Sequence, residues 1–339
     1  MHSTFNNKIK VTLQAMVIIN ILCFMLNAGA IPANAKELSL SINPPIIEIK
    51  AIPPTTVISQ INIQNKSDAQ VSLSIEFKSF KPKGENGEII YSKEALEIFK
   101  NIQIMDADMP IDSLILGPKQ QKNLNLTITV PQDTSISDYY FSVIFVSTDF
   151  PQIESNSSTN QLGIATNVLL SIGPLEIPKA VLEKFSSDIF LEKGPVPFMI
   201  RIKNDGTHFI KPKGEINIKN MFGQSVGKLN LVSANILSGS TRAIPNDIYM
   251  QALKTSNPIT KDDNSLSFKN PIALWKENFL LGLYTATLNI SMSDEGPIFT
   301  KTINFFAFPF QILIAIIVIV IAAIVIANRL KIYMNKNRT

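Results

Sequence analysis

Side chains able to do chemistry are scarce in this 339-residue chain, which holds two histidines, one cysteine and one tryptophan. His2 and Cys23 fall in an N-terminal segment that is expected to be removed, so the mature chain keeps His208 and no cysteine. That excludes a cysteine nucleophile, a thiolate metal site and a histidine-rich zinc site. A Ser-His-Asp arrangement would have to use His208, which sits beside the turn Asn204-Asp205-Gly206-Thr207, and no serine is expected on a nucleophile elbow. Paired carboxylates for glycoside cleavage could come from the 27 acidic residues, but no spacing singles out a pair. Walker-type and dinucleotide-binding glycine loops are absent. Asp262-Asp263-Asn264 lacks the ligand alternation and closing Glu of a calcium loop and reads as a solvated loop. The expectation is no enzyme, no catalytic residue, no metal and no cofactor.

Two residues remain as candidates for ligand binding. Trp275 is either a stacking platform for a sugar or peptide, or a core plug, since Ala273-Leu274-Trp275 leads towards Phe279-Leu280-Leu281. Arg242 follows Gly239-Ser240-Thr241 and could bond strand-end carbonyls or meet a partner's carboxylate.

The elements that would position them are set by the two ends of the chain. Lys8 and Lys10 precede an apolar run from Val11 to Leu26 and then Ala33-Asn34-Ala35, the layout of a signal peptide over residues 1–35. A cut after Ala30, or an uncleaved anchor, is the alternative. At the other end Phe305 to Ala327 runs 23 residues without a charge. As a helix it would span about 34 Å, enough for a bilayer core of roughly 30 Å. Arg329, Lys331, Lys336 and Arg338 follow, which places the tail 328–339 in the cytoplasm and the domains outside. Without the six basic residues of the two ends, 25 basic residues face 27 acidic ones, a balance that gives no reason to expect nucleic acid as a partner.

Between the ends, short runs of period two alternate with turn residues. Leu124-Asn125-Leu126-Thr127-Ile128-Thr129-Val130 is the clearest, and such runs are half-buried antiparallel strands. The fold class expected is all-β: two tandem Ig-like β-sandwich domains plus one C-terminal transmembrane helix. A weak repeat supports two units. Ile61-Asn62-Ile63-Gln64-Asn65-Lys66-Ser67 is echoed by Ile200-Arg201-Ile202-Lys203-Asn204-Asp205-Gly206, and each copy later reaches a tyrosine-led strand, at Tyr139-Tyr140 and at Tyr284. The boundary falls at Gly173-Pro174-Leu175-Glu176-Ile177-Pro178, giving domains 36–178 and 179–304 and a helix over 305–327. Residues 81–112 and 242–278 are the expected insertions, and Ser92–Lys100 the one helical turn of the first half.

The landmarks also carry a resemblance. Ile42-Asn43-Pro44-Pro45-Ile46-Ile47-Glu48-Ile49, then Asn65-Lys66-Ser67, Leu116-Gly117-Pro118 and Val130-Pro131 resemble the peptidoglycan-binding domain of the WxL-interacting proteins of Gram-positive surfaces. Gly194-Pro195-Val196, Asn204-Asp205-Gly206, Lys211-Pro212-Lys213-Gly214, Phe222-Gly223, Leu237-Ser238-Gly239-Ser240-Thr241-Arg242 and Gly282-Leu283-Tyr284 are similar to that family's second domain. The resemblance implies a membrane-anchored adhesion or scaffold protein whose partners are cell-wall polymer or surface proteins. A chaperone-like module exchanging strands with surface or pilus subunits is the alternative, and a glycan-cleaving enzyme a more distant one.

Overall fold

Alternation decides the strands. Leu124, Leu126, Ile128 and Val130 are buried while the residues between them face outward, and Ile61 and Ile63 are fully buried in the strand beside them. The computed structural model describes residues 39–148, 154–155, 158–159, 162–174, 176–255, 271–293 and 296–336. The proposed signal segment and Asp262-Asp263-Asn264 lie outside them.

The first sandwich is built from β1 (Leu40–Asn43), β2 (Ile46–Ala51), β3 (Thr55–Asn65), β4 (Val71–Lys83), β5 (Glu88–Tyr91), β6 (Ile102–Asp106), β7 (Met109–Ile111), β8 (Ser113–Leu116), β9 (Gln121–Val130) and β10 (Ser137–Ser147). The short pair β11 (Glu154–Ser155) and β12 (Ser158–Thr159) follows, and β13 (Gly163–Ile172) closes the domain. One sheet has the order β1-β3-β9-β6-β7, and the other β2-β13-β10-β4-β5 with β8 also on β4. Pro44 and Pro45 have no N–H to give a ladder. The chain changes sheets there, β1 pairing antiparallel with β3 and β2 parallel with β13. The helical turn expected over Ser92–Lys100 is a 3-10 turn at Glu97–Asn101 that buries Ile98.

The second sandwich contains β14 (Ala180–Ser186), β15 (Phe190–Leu191), β16 (Val196–Asn204), β17 (Lys213–Asn220), β18 (Ser225–Asn230) and β19 (Thr241–Ala243). Then come α1 (Asp247–Thr255), β20 (Ala273–Trp275), β21 (Gly282–Ser291) and β22 (Ile298–Ala307). Its sheets are β14-β16-β19, with β20 also on β16, and β15-β22-β21-β17-β18. Asn246 caps α1 by accepting the Tyr249 N–H (3.1 Å) and ties it to β20 through both backbone groups of Leu274.

The internal repeat marks equivalent joints. Asn65 ends β3 and Asn204 ends β16, and both are fully buried. Asn65 donates to the carbonyls of Ala69 and Gly117, and Asn204 to those of His208 and Ile236. Each also accepts the N–H two residues on, from Ser67 and Gly206. The tyrosines act as corners as well. Tyr139 donates to the Ser135 carbonyl (3.3 Å), and Tyr284 accepts the Leu281 N–H (3.1 Å).

The C-terminal helix, α2 (Phe310–Lys336), differs from expectation at both ends. The apolar run was expected to be helical from Phe305, yet Phe305, Phe306 and Ala307 close β22. Alternation wins there: Phe305 and Ala307 fill the second core while Phe306 faces out. Pro309 precedes the helix and accepts the Leu313 N–H, which suits a residue with no donor of its own. The helix then continues past Ala327 to Lys336. Leu313–Leu330 is long and apolar enough to cross a membrane. The observed class is therefore all-β, two Ig-like sandwiches and one C-terminal apolar helix.

Candidate functional site between the sandwiches

Part of the expected insertion 81–112 builds the joint between the domains. The β4–β5 hairpin turns through Gly84 and Gly87, both at positive φ (62° and 80°), where a glycine is favoured. Its tip meets the edge of the second sandwich. The Ala243 N–H donates to the Glu85 carbonyl (2.9 Å), and the Glu85 carboxylate pairs with Arg201. The Arg242 guanidinium occupies the space a side chain at residue 87 would take, so any larger residue there would have to displace it. Behind the hairpin, Phe80 and Leu169 of the first sandwich bury against Phe209 and Leu237 of the second. Tyr140 stacks on Phe80 at 6.1 Å between ring centres.

Asp138 is the polar hub of the same seam. Its side chain is 2% exposed. It accepts the Tyr140 hydroxyl (2.5 Å) and the Phe209 N–H (2.5 Å), and its other oxygen lies 2.7 Å from His208 Nδ1. The Tyr140 oxygen in turn accepts the Ser238 N–H (3.1 Å). Burial, then Asp138, push the Tyr140 phenol well above its ordinary range. Ser171 Oγ also lies 2.7 Å from His208 Nδ1, so serine, histidine and aspartate meet here. The geometry is not that of a nucleophilic relay, which needs the carboxylate on one ring nitrogen and the serine on the other. Both partners share Nδ1, and Nε2 is buried without a partner.

One serine does stand in an elbow-like string of residues. Gly223-Gln224-Ser225-Val226-Gly227 matches G-x-S-x-G, but Ser225 stands in the β17–β18 hairpin opposite Lys219. A nucleophile elbow joins a strand to a helix, and no helix follows here. Among the described residues no group of three His, Cys, Asp or Glu could hold a metal.

Beside the seam lies a groove of about 440 Å³, walled by both sandwiches. Glu48 and Lys50 of β2 stand on one side, Lys211 and Lys213 on the other, and Glu176 and Lys179 in the connection between the domains. Glu48 Oε1 accepts Lys211 Nζ (2.7 Å) and Asn235 Nδ2 (2.7 Å) across the joint. Burial works to raise the Glu48 carboxyl, but the bonds from Asn235 and Lys211, with the Lys211 and Lys50 charges, outweigh it and hold it below its ordinary 4.5. A carboxylate depressed in the folded state stabilises above its unfolded pKa and loses that contribution as pH falls through the folded value. Because the pair is solvent-exposed and screened, Glu48→Gln is expected to lower stability by only about 0.5 kcal/mol at neutral pH. Denaturant midpoints measured down to acid should show the gap to wild type closing below pH 4.5.

The two candidate ligand residues are far apart in role. Arg242 donates to the Asn235 carbonyl (2.5 Å), and burial lowers its pKa. It lines a small cavity of about 100 Å³ with Phe80, Ile89, Leu169 and Leu237. Trp275 is 7% exposed and packs edge-on against Tyr284 (5.7 Å) and Phe305 (6.5 Å) in the second core. The seam brings together Arg242 and His208 but not Trp275. The Asp138 hub and the groove were not foreseen, because their residues come from segments distant in the chain.

No protein-family model matches this chain, and no curated protein does. Several solved structures align with it. The class 5 fimbriae chaperone CfaA shares 14% identity at a TM-score of 0.36, over 80% of this chain and 100% of that one. The E. coli chaperone DraB shares 10% at 0.32, over 78% and 98%. The CsuC–CsuE chaperone–tip adhesion subunit complex of Acinetobacter baumannii shares 13% at 0.33, over 60% and 89%. The two sandwiches stand on the strand pairing described above, independently of these likenesses.

Proposed function

We propose that this chain is a non-catalytic binding protein, held in a cell-surface membrane by α2 with its N-terminal signal cleaved and its tail cytoplasmic, whose groove receives a segment of another surface polypeptide. The observation that carries the reading is the groove: two sandwiches, joined by the hairpin, the Asp138 hub and the Glu48 bridge, wall one cleft. Four lysines and two glutamates line it, so an acidic segment is the complementary ligand. Full-length protein solubilised in mild detergent should retain a surface polypeptide, less so in high salt. Lys50→Glu with Lys179→Glu should weaken retention about tenfold, or ~1.4 kcal/mol. Retention by isolated cell-wall sacculi, unaffected by those changes, would instead favour wall polymer.

A second reading is strand capture. Among the described residues β2 pairs on one side only, with β13. Asn167 of β13 and Gly173 just after it donate to the carbonyls of Pro45 and Ala51, so ladder alternation turns the N–H groups of Glu48 and Lys50 to the open side. An extended partner could add there. This reading shares its partner class with the fimbrial chaperones but is carried by the β2 edge. Lys50→Pro removes an open-edge donor, so binding lost with Lys50→Pro and kept with Lys50→Ala would select strand capture.

A further inference from the structure

Strand pairing gathers four separate pieces of chain at the end of the second sandwich from which α2 departs. Gly282 pairs with Ala307, Phe190 with Phe306 and Asn220 with Tyr284. The turn after β17, the approach to β21, β15 and the close of β22 therefore share that end. Beside charged residues they expose a cluster of large apolar side chains: Ile189 is 83% exposed and Phe222 78%, and Met221, Phe279 and Leu281 are also open to solvent. A single exposed apolar residue is ordinary, but such a gathering marks a contact surface.

What covers it follows from the chain itself. Only Phe308 and Pro309 lie between β22 and α2, a link that reaches at most roughly 7 Å beyond its ends at about 3.5 Å per residue. The first turn of α2 is also tied to this end, with the Phe310 ring 5.5 Å from Phe190 and the Gln311 amide donating to Glu192 (3.4 Å). With the apolar span beginning at Leu313, about one turn beyond Phe310, the rim lies within roughly 5 Å of helix rise from the point of entry. Asp188, Glu192 and Glu277 are matched there by Lys193, Lys219 and Lys276, so net charge does not hold the rim away.

We propose that this apolar rim is seated in the interfacial layer of the bilayer that α2 crosses, with Phe222 and Ile189 as lipid contacts. The inference rests on the reading of α2 as a membrane-spanning helix. Its consequence is a fixed height. β17 runs from Lys213 at the groove to Asn220 at the rim, roughly 23 Å at about 3.3 Å per residue. The groove would stand that far above the headgroups, and the second sandwich would be a footed spacer rather than a tethered one.

The test uses the full-length chain in a Cys23→Ser background, reconstituted into phosphatidylcholine and phosphatidylglycerol vesicles. Single cysteines replace Phe222, Ile189, Ile115 on β8 or Ile319 within α2, and each carries a nitroxide. At 222 and 189, lipid-soluble oxygen should relax the label more than a water-soluble nickel chelate, as at 319, and the order should reverse at 115. Oxygen access at 319 but nickel access at 222 and 189 would overturn the inference while leaving the anchor intact. Shielding of 222 and 189 from both reagents would overturn it in favour of a protein cover. Nickel access at 319 would remove the anchor and the inference together.

Discussion

Asp138→Ala is expected to cost the chain about 3 kcal/mol and to let the two sandwiches move apart. The carboxylate is buried and holds three groups from two domains: the Tyr140 hydroxyl, the Phe209 N–H and the His208 ring. Removing it leaves the Tyr140 hydroxyl and the Phe209 N–H without that acceptor, at roughly 1–3 kcal/mol each where water cannot replace it, while His208 keeps Ser171. Some of that loss is relieved if the seam opens, because opening readmits water. The variant should therefore show two signatures. Its denaturation midpoint should fall, and backbone amides around Phe209 and Ser238 should exchange with solvent faster than those of Leu124 or Ile216 in the two cores. Asp138→Asn keeps one oxygen to accept the Phe209 N–H but puts a donating amide NH2 against His208, so it should lie between wild type and alanine. An Asp138→Ala protein with unchanged midpoint and unchanged exchange at the seam would remove the hub from the account.

Asn204→Ala should be as severe within one domain, again about 3 kcal/mol. Asn204 Nδ2 donates to the carbonyls of His208 (2.9 Å) and Ile236 (3.0 Å), while Oδ1 accepts the Gly206 N–H (2.9 Å). The informative comparison is Asn204→Asp. A carboxylate can still accept from Gly206, but it has no hydrogens for the two carbonyls and would place a charge against them. Aspartate should therefore be no better than alanine, although it keeps the size and shape of asparagine. Asn65 makes the same joint in the first sandwich and should repeat the pattern. Unfolding in denaturant, monitored at Trp275 for the second sandwich, checks it. Rescue by aspartate would show that the turn, and not the donated bonds, carries the joint.

These joints mark how much of the molecule was legible in the sequence. Strands such as β9 and β16 were readable because burial follows their period-two alternation. The repeated Asn followed by a turn was readable because part of its bonding is local, to the N–H two residues on, as the tyrosine corners are, although its bonds to Gly117 and Ile236 were not. The helix boundary at Phe305 was misjudged for a physical reason: an apolar strand end running straight into an apolar helix has no change of composition to mark it. Only the alternation of Phe305, Phe306 and Ala307 distinguishes them. The Asp138 hub was out of reach, since its partners across the seam, His208 and Phe209, lie about 70 residues away in the chain and no local pattern announces them. Glu48, Lys211 and Asn235 meet only because both domains are folded. The G-x-S-x-G string shows the converse: its letters were present, but the elbow that would give them meaning was not.

The measurement that most directly tests the central claim is photo-crosslinking from the groove in intact membranes. A photoreactive residue at Ile177, which lines the groove and is 78% exposed, is compared with one at Ile115 on the far side of the first sandwich. A discrete polypeptide adduct is expected from residue 177, absent from residue 115 and lost with Lys50→Glu and Lys179→Glu. No adduct at 177, or the same adducts at both positions, would contradict a groove that receives a polypeptide partner.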